Sequence, residues 1–151
     1  MEKIIIGNKQ KCDYRKTCYG IAMHNGKILL SVNNKINEYS LPGGGVEKSE
    51  TLESCLKREF AEEVGFKIIE TAEFVNIDCF WTKRDGRLME TDANFLFAKV
   101  DLANNFTPIE SFHSYFWLDI NDALEKIMFP YQKKALEKFL EEYDKIDFKF
   151  N

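Results

Sequence analysis

The chain has 151 residues, 44% of them hydrophobic, with a net charge of −4. That length and apolar content suit a single domain over residues 1–151 with a sizeable core. The acidic balance excludes a general electrostatic grip on nucleic acid or on an anionic membrane.

The N-terminal stretch MEKIIIGNKQKC holds an apolar run of only three residues. No later window approaches the roughly eighteen apolar residues of a membrane span, so a cytoplasmic protein is expected. Cys12, Cys18, Cys55 and Cys79 show no C-x-x-C spacing and no paired histidines nearby. Reduced thiols are the expected state, with a Cys12–Cys18 bridge or metal site as the competing reading.

From Cys18 to Val32 two apolar runs flank Asn25-Gly26, a dipeptide that predicts a type I′ hairpin. His24, at its edge, reads as structural or solvent-facing. A polar loop follows over Asn33–Glu38, and Tyr39–Leu41 leads as a short strand through Pro42 into Gly43, Gly44 and Gly45. Tyr39 and Leu41 read as core or rim, with ligand contact as the alternative. The glycines let the backbone turn tightly and approach a ligand closely.

A capped helix comes next, with Thr51 or Ser49 as N-cap, Glu53 in the first turn and Gly65 in the left-handed position after the last. Its acids are oddly placed. Glu59, Glu62 and Glu63 stand at i, i+3 and i+4, so like charges share one flank. At about 100° per residue, Glu63 falls between Leu52 and Leu56, and Glu59 lies just beyond Leu52. Both carboxylates thus edge the apolar stripe that Leu52, Leu56, Phe60 and Val64 turn to the core. This costs stability unless a cation sits among them, and hard oxygen ligands clustered this way suit Mg²⁺ or Mn²⁺.

Past Gly65, residues Phe66–Ile69 and Glu73–Thr82 read as extended. Arg84-Asp85-Gly86-Arg87 turns the chain, and Asn94–Leu102 returns as an apolar strand. Lys83, Arg84 and Arg87 gather at that turn, as a solvated hairpin tip or as phosphate contacts. Asn104–Ser114 reads as a loop and Tyr115–Leu118 as a strand. Asp119 or Asn121 caps a short helix to Ile127, and Pro130 opens a final helix with Ala135, Leu136, Phe139, Leu140 and Tyr143 as its apolar stripe. Strands mixed with flanking helices predict an α/β protein with a mixed sheet between helices.

Counted from Gly44, the chain runs through five residues to Glu50, seven more to Arg58-Glu59-Phe60, then Glu62-Glu63 and Gly65-Phe66. This resembles the signature box of the Nudix hydrolases, MutT-like proteins, with every charged and glycine position present. The two bulky aliphatic positions are both Phe, which keeps bulk and apolarity. The resemblance implies an α/β/α sandwich and hydrolysis of a pyrophosphate bond in a nucleoside diphosphate joined to another group. It also implies Mg²⁺ or Mn²⁺ held by Glu59, Glu62 and Glu63 with a carbonyl from Gly43, and substrate against Gly43 and Gly44.

Family practice places the general base either on a box glutamate, here Glu59, or on the loop before the last strand, here Glu110 or His113. Arg58 would brace Glu50 or a box carboxylate. Coupled titration of the three acids implies activity that rises with pH. The expected partner is a small nucleotide, with a weak preference for a nucleoside triphosphate over ADP-ribose or a nucleotide sugar. Trp81, Phe80 and Phe112 are the aromatics available to stack on a base. Members of the family commonly dimerise, which makes a homodimer an expectation of the same kind. The reading from a different class is a Nudix-fold domain that senses a nucleotide without cleaving it.

Overall fold

The computed structural model describes residues 1–105, 107–108 and 111–145. In chain order it contains β1 (Glu2–Ile6), β2 (Asp13–Ile21), β3 (Met23–His24), β4 (Lys27–Asn33), β5 (Glu38–Ser40), β6 (Gly43–Gly45), α1 (Leu52–Glu63), β7 (Phe66–Thr82), β8 (Leu88–Asn105), β9 (His113–Asp119), α2 (Ile120–Lys126) and α3 (Pro130–Glu142). Among the described residues no helix is long and apolar enough to cross a membrane.

One sheet runs β1-β7-β8-β2-β6 and is mixed: β1 lies parallel to β7 and β2 parallel to β8, while β7–β8 and β2–β6 are antiparallel. The second is antiparallel around β4, which pairs with β3 and β5 along different stretches and with β9 over its full length. The period of two along each strand divides the core. Tyr19, Ile21, Ala93, Phe95, Val75 and Ile77 pack with α2 and α3 residues such as Ala123, Leu136 and Phe139. Cys18, Ala22, Leu96 and Ala98 pack with Cys55, Leu56 and Phe60 of α1. The result is the mixed sheet between helical layers that the pattern predicts.

Local chemistry explains most boundaries. Asn25 and Gly26 take φ of 50° and 74°, the double left-handed geometry of a type I′ turn. Thr51 caps α1: its side chain accepts from Ser54 N–H, and Ser54 Oγ accepts from Thr51 N–H. Gly65, at φ 74°, ends it. Pro130 opens α3, where its missing N–H costs nothing.

Several expectations change. The N-terminal Ile run forms β1, because its parallel pairing with β7 buries Ile4 and Ile6 against the core and leaves Ile5 exposed. The break expected between Ile69 and Glu73 is a bend: β7 continues through with register shifts at Ile68/Glu70 and Glu73/Val75. Gly43–Gly45 is a strand paired with Tyr19–Thr17 rather than a tight turn. Leu140 in α3 and Tyr143 just past its end are each 44% exposed, so the buried stripe ends at Phe139. All four cysteines are free thiols.

Phe60, fully buried, faces Gly20 so closely that a Cβ there would lie 2.6 Å from the ring. The bulk at this box position is accommodated by a missing side chain in β2.

Candidate active site

The middle of α1 packs against β6 through Cys55, Arg58 and Glu59, and this junction fixes the acids. Arg58 reaches back along the helix. Its Nε and Nη2 donate to the two oxygens of Glu50 at 2.7 and 2.9 Å, its Nη2 also donates to the Gly45 carbonyl at 3.0 Å, and its Nη1 donates to Glu59 Oε1 at 2.9 Å and Glu62 Oε2 at 3.2 Å. The fork-shaped guanidinium thus joins the glycine strand to three carboxylates. Arg58 holds the Glu50 carboxyl down to about 2, assisted by the Glu47 N–H. This is the bracing the sequence suggests for Arg58.

Glu59 rests against the Gly44 backbone: a Cβ on Gly44 would fall 2.7 Å from its Oε1. Burial pushes its carboxyl above the ordinary range, opposed by hydrogen bonds from Glu63 and Arg58. Gly43 takes φ 150°, and a Cβ there would meet the Cys18 carbonyl at 2.1 Å. The glycines therefore serve close approach, between β2 on one side and a carboxylate on the other.

Glu63 is 6% exposed, and with Gly43 and Gly44 it lines a cleft of about 320 Å³. The opposite walls carry Arg15 and Tyr19 from β2, Trp81 from β7, Thr91 from β8, His113 from β9, and Phe129, Tyr131 and Gln132 from the start of α3. Tyr19 and Tyr131 pack with ring centroids 5.9 Å apart, and burial raises both phenols so that they stay protonated. Trp81 donates from Nε1 to Thr91 Oγ1 at 2.8 Å and meets Phe129 edge to face at 6.2 Å. Gln132 accepts from Leu41 N–H at 2.7 Å.

The residues expected from sequence are distributed unevenly. Glu63, Gly43 and Gly44 open on the cleft, Glu59 stands beside Gly44, and Glu62 is drawn to Arg58. Among the described residues no three His, Cys, Asp or Glu side chains converge on one point. Arg58 holds Glu62 at 3.2 Å and Glu59 at 2.9 Å, so both carboxylates lean on one guanidinium.

The box acids fit a hard divalent ion. Mg²⁺ binds through one or two carboxylates and takes waters and substrate phosphates for the rest; Glu59 and Glu63 beside an open cleft meet that demand. His113 lines the cleft with Nδ1 3.0 Å from Ser31 Oγ, and Glu110 lies outside the described residues. Trp81 faces the cleft, whereas Phe80 is buried and Phe112 packs on His113. Tyr39 stacks on Phe116 and Leu41 is fully buried, so alternation in β5 turns Glu38 and Ser40 to the cleft instead. Arg15, Tyr131 and Gln132 escaped the sequence reading. They carry no motif, and only the sheet order and the α3 docking bring them to Glu63.

A description of the NUDIX domain matches residues 14–139, most of the chain. The chain belongs to the Nudix family. It is 27% identical over 153 residues to the RNA pyrophosphohydrolase of Wolbachia pipientis subsp. Culex pipiens, an alignment covering 89% of this chain and 91% of that one. It is 34% identical over 92 residues to the nucleoside triphosphatase NudI of Escherichia coli O139:H28, covering 58% of this chain and 65% of the relative, which is less than two thirds of its length. The MutT protein of Bacillus halodurans shares the fold, with a TM-score of 0.66, 18% identity and coverage of 82% and 80%. This Nudix protein is thus a MutT-like hydrolase in fold and family, with an intact box at one end of a polar and aromatic cleft.

Proposed function

We propose that this Nudix hydrolase cleaves the pyrophosphate bond of a nucleoside polyphosphate, with Mg²⁺ or Mn²⁺ as cofactor. The observation that carries the reading is the buried carboxylate of Glu63 opening, beside Gly43 and Gly44, on a cleft walled by Arg15, Trp81 and Tyr131. The relatives named for nucleoside triphosphate and RNA pyrophosphate hydrolysis support the same class.

The cation would be held by Glu59 and Glu63 with a carbonyl from Gly43, and by Glu62 once its pair with Arg58 opens. When bound, it neutralises phosphate charge and acidifies a water. The protein's own groups do the rest. Arg15 lines the cleft, its guanidinium beside Gly45, and can hold phosphate oxygens there. Trp81, Phe129 and Tyr131 offer ring faces and edges to a planar base, and Gln132 offers an amide to its rim. Glu59, beside Gly44, is assigned as the base that takes the proton of the attacking water. Arg58 positions Glu59 through its ion pair.

Release of phosphate or pyrophosphate from nucleoside triphosphates, ADP-ribose, nucleotide sugars and dinucleoside polyphosphates, measured with Mg²⁺ or Mn²⁺, tests this. Turnover is expected with a triphosphate, and Glu63→Gln and Glu59→Gln should each lower kcat by about 10²-fold or more. Binding of nucleotides without any turnover would establish the sensing domain instead.

A further inference from the structure

The sheet that walls the cleft has a polar reverse face. In β7 the alternation that sends Ile77 and Cys79 into the core turns Asn76, Asp78 and Phe80 the other way. In β8 the inward turn of Ala93 and Phe95 puts Glu90, Asp92 and Asn94 on that same reverse face. Asp78 stands directly opposite Asp92, and Glu90, opposite Phe80, is its diagonal neighbour. Like charges set across an antiparallel pair destabilise it.

The three carboxyls are not equivalent. Asp92 is served as an anion: the Tyr14 hydroxyl donates to its Oδ2 at 2.5 Å and Asn76 Nδ2 donates to its Oδ1 at 2.7 Å. Asp78 is only 8% exposed, and its Oδ1 is buried with no hydrogen-bond partner among the described residues. A charged oxygen buried in this way costs free energy that a proton relieves. The cations on this face do not supply the relief. Lys3 of β1 lies beside Asn76, Lys16 of β2 lies beside Asp92, and Lys9 of the β1–β2 loop acts on Glu90. All three lysines are exposed, and none pairs with these acids among the described ion pairs. Cys12 is pushed up by loss of solvent and then by Glu90, Asp13 and Asp78, so it stays a neutral thiol. Glu90 responds in the same direction: Asp78 first, then burial and Asp92, lift its carboxyl above the ordinary range, with Lys9 opposing.

This face backs onto the cleft. Trp81, Met89 and Thr91 alternate with Phe80, Glu90 and Asp92 along the same two strands and line the cleft, where Trp81 Nε1 donates to Thr91 Oγ1 at 2.8 Å. We propose that Asp78 and Glu90 hold one proton between them, and that this proton keeps β7 and β8 together behind the Trp81–Thr91 wall. One carboxyl then donates to the other, and loss of the proton sets both charges beside that of Asp92. The pair is separate from the box acids, which α1 carries. A carboxyl that binds its proton more tightly in the folded chain lends stability below its unfolded pKa and loses it as pH rises through the folded one. That is opposite in sign to Glu50 on Arg58.

Urea denaturation of the full chain as wild type, Asp78→Asn, Glu90→Gln and Asp92→Asn, from about pH 4 to pH 8, tests this. Asp78→Asn and Glu90→Gln each bring a donor that needs no proton. At pH 8 they should raise the folded-to-unfolded ratio by roughly two- to fivefold, the range of one opposed cross-strand pair, and the gain should vanish toward pH 4. Asp92→Asn should lower the ratio instead, because it takes an acceptor from Tyr14 and Asn76. In wild type the side-chain carboxyl carbon resonances of Asp78 and Glu90 should titrate as one coupled pair. Trp81 fluorescence, read in a Trp117→Phe background, should carry the same step and lose it in Asp78→Asn. Independent titration of the two carboxyls in the ordinary range, or variants no more stable than wild type at pH 8, would overturn the shared proton. A Trp81 signal that titrates alike with and without Asp78 would overturn its hold on the wall.

Discussion

Arg58 shows how much of this site rests on one side chain. Its guanidinium contacts Glu50, Glu59, Glu62 and the Gly45 carbonyl at once, and the partner it changes most is Glu50, held from its ordinary 4.5 down to about 2. A carboxyl with a lowered folded pKa stabilises the fold fully above its unfolded pKa and loses that contribution as pH falls through the folded one. Glu50→Gln is therefore expected to be less stable than wild type at pH 7. The gap should narrow below about pH 4.5 and close near pH 2. Urea denaturation of both proteins across that range measures it, and a gap independent of pH would show that Glu50 acts by packing alone. The same guanidinium draws Glu59 and Glu62 together at 2.9 and 3.2 Å.

At the scale of elements, α1 is held to the sheet by the Phe60–Gly20 contact as much as by its caps. A methyl at residue 20 would press within 2.6 Å of the Phe60 ring and 3.3 Å of Leu56, in a layer where both side chains are fully buried. Gly20→Ala should cost about 1–3 kcal/mol by overpacking. Phe60→Leu removes volume from the same contact and should rescue it, so the double variant is more stable than additivity predicts by about 0.5–3 kcal/mol. Denaturation midpoints of the two singles and the double decide this, and strict additivity would mean that the ring simply moves aside. The contact also gives a physical account of an aromatic residue at a box position where the family resemblance implies an aliphatic one.

For the whole molecule, the proposed cation links function to stability. Glu63 is a buried acid and Glu59 a half-buried one whose carboxyl is already pushed up by desolvation, so the fold carries a cost that a divalent ion would offset. A ligand that binds the native state alone raises its stability by about 2.7 kcal/mol at a hundredfold excess over Kd. Mg²⁺ or Mn²⁺ should thus raise Tm in the absence of nucleotide. The rise should vanish in the Glu59→Gln, Glu63→Gln double variant, whose Tm without metal should exceed that of wild type. An equal Tm rise in wild type and variant would place the cation elsewhere.

Local features were legible in the chain: the Asn25-Gly26 turn, the Thr51 cap, the Gly65 stop, the hairpin at Gly86 and the box carboxylates. Each depends on residues a few positions apart, where backbone preference and side-chain reach settle the outcome. The tertiary structure decided what depends on pairing across the chain. The N-terminal Ile run became β1 only because β7 offers it a parallel edge. The glycines became a strand because β2 lies alongside, and Arg15, Tyr131 and Gln132 came to face Glu63 from elements remote in sequence. A cleft wall has no periodicity of its own, since its residues share a volume and not a spacing. That is why the acids were legible beforehand and the surface that would select their substrate was not.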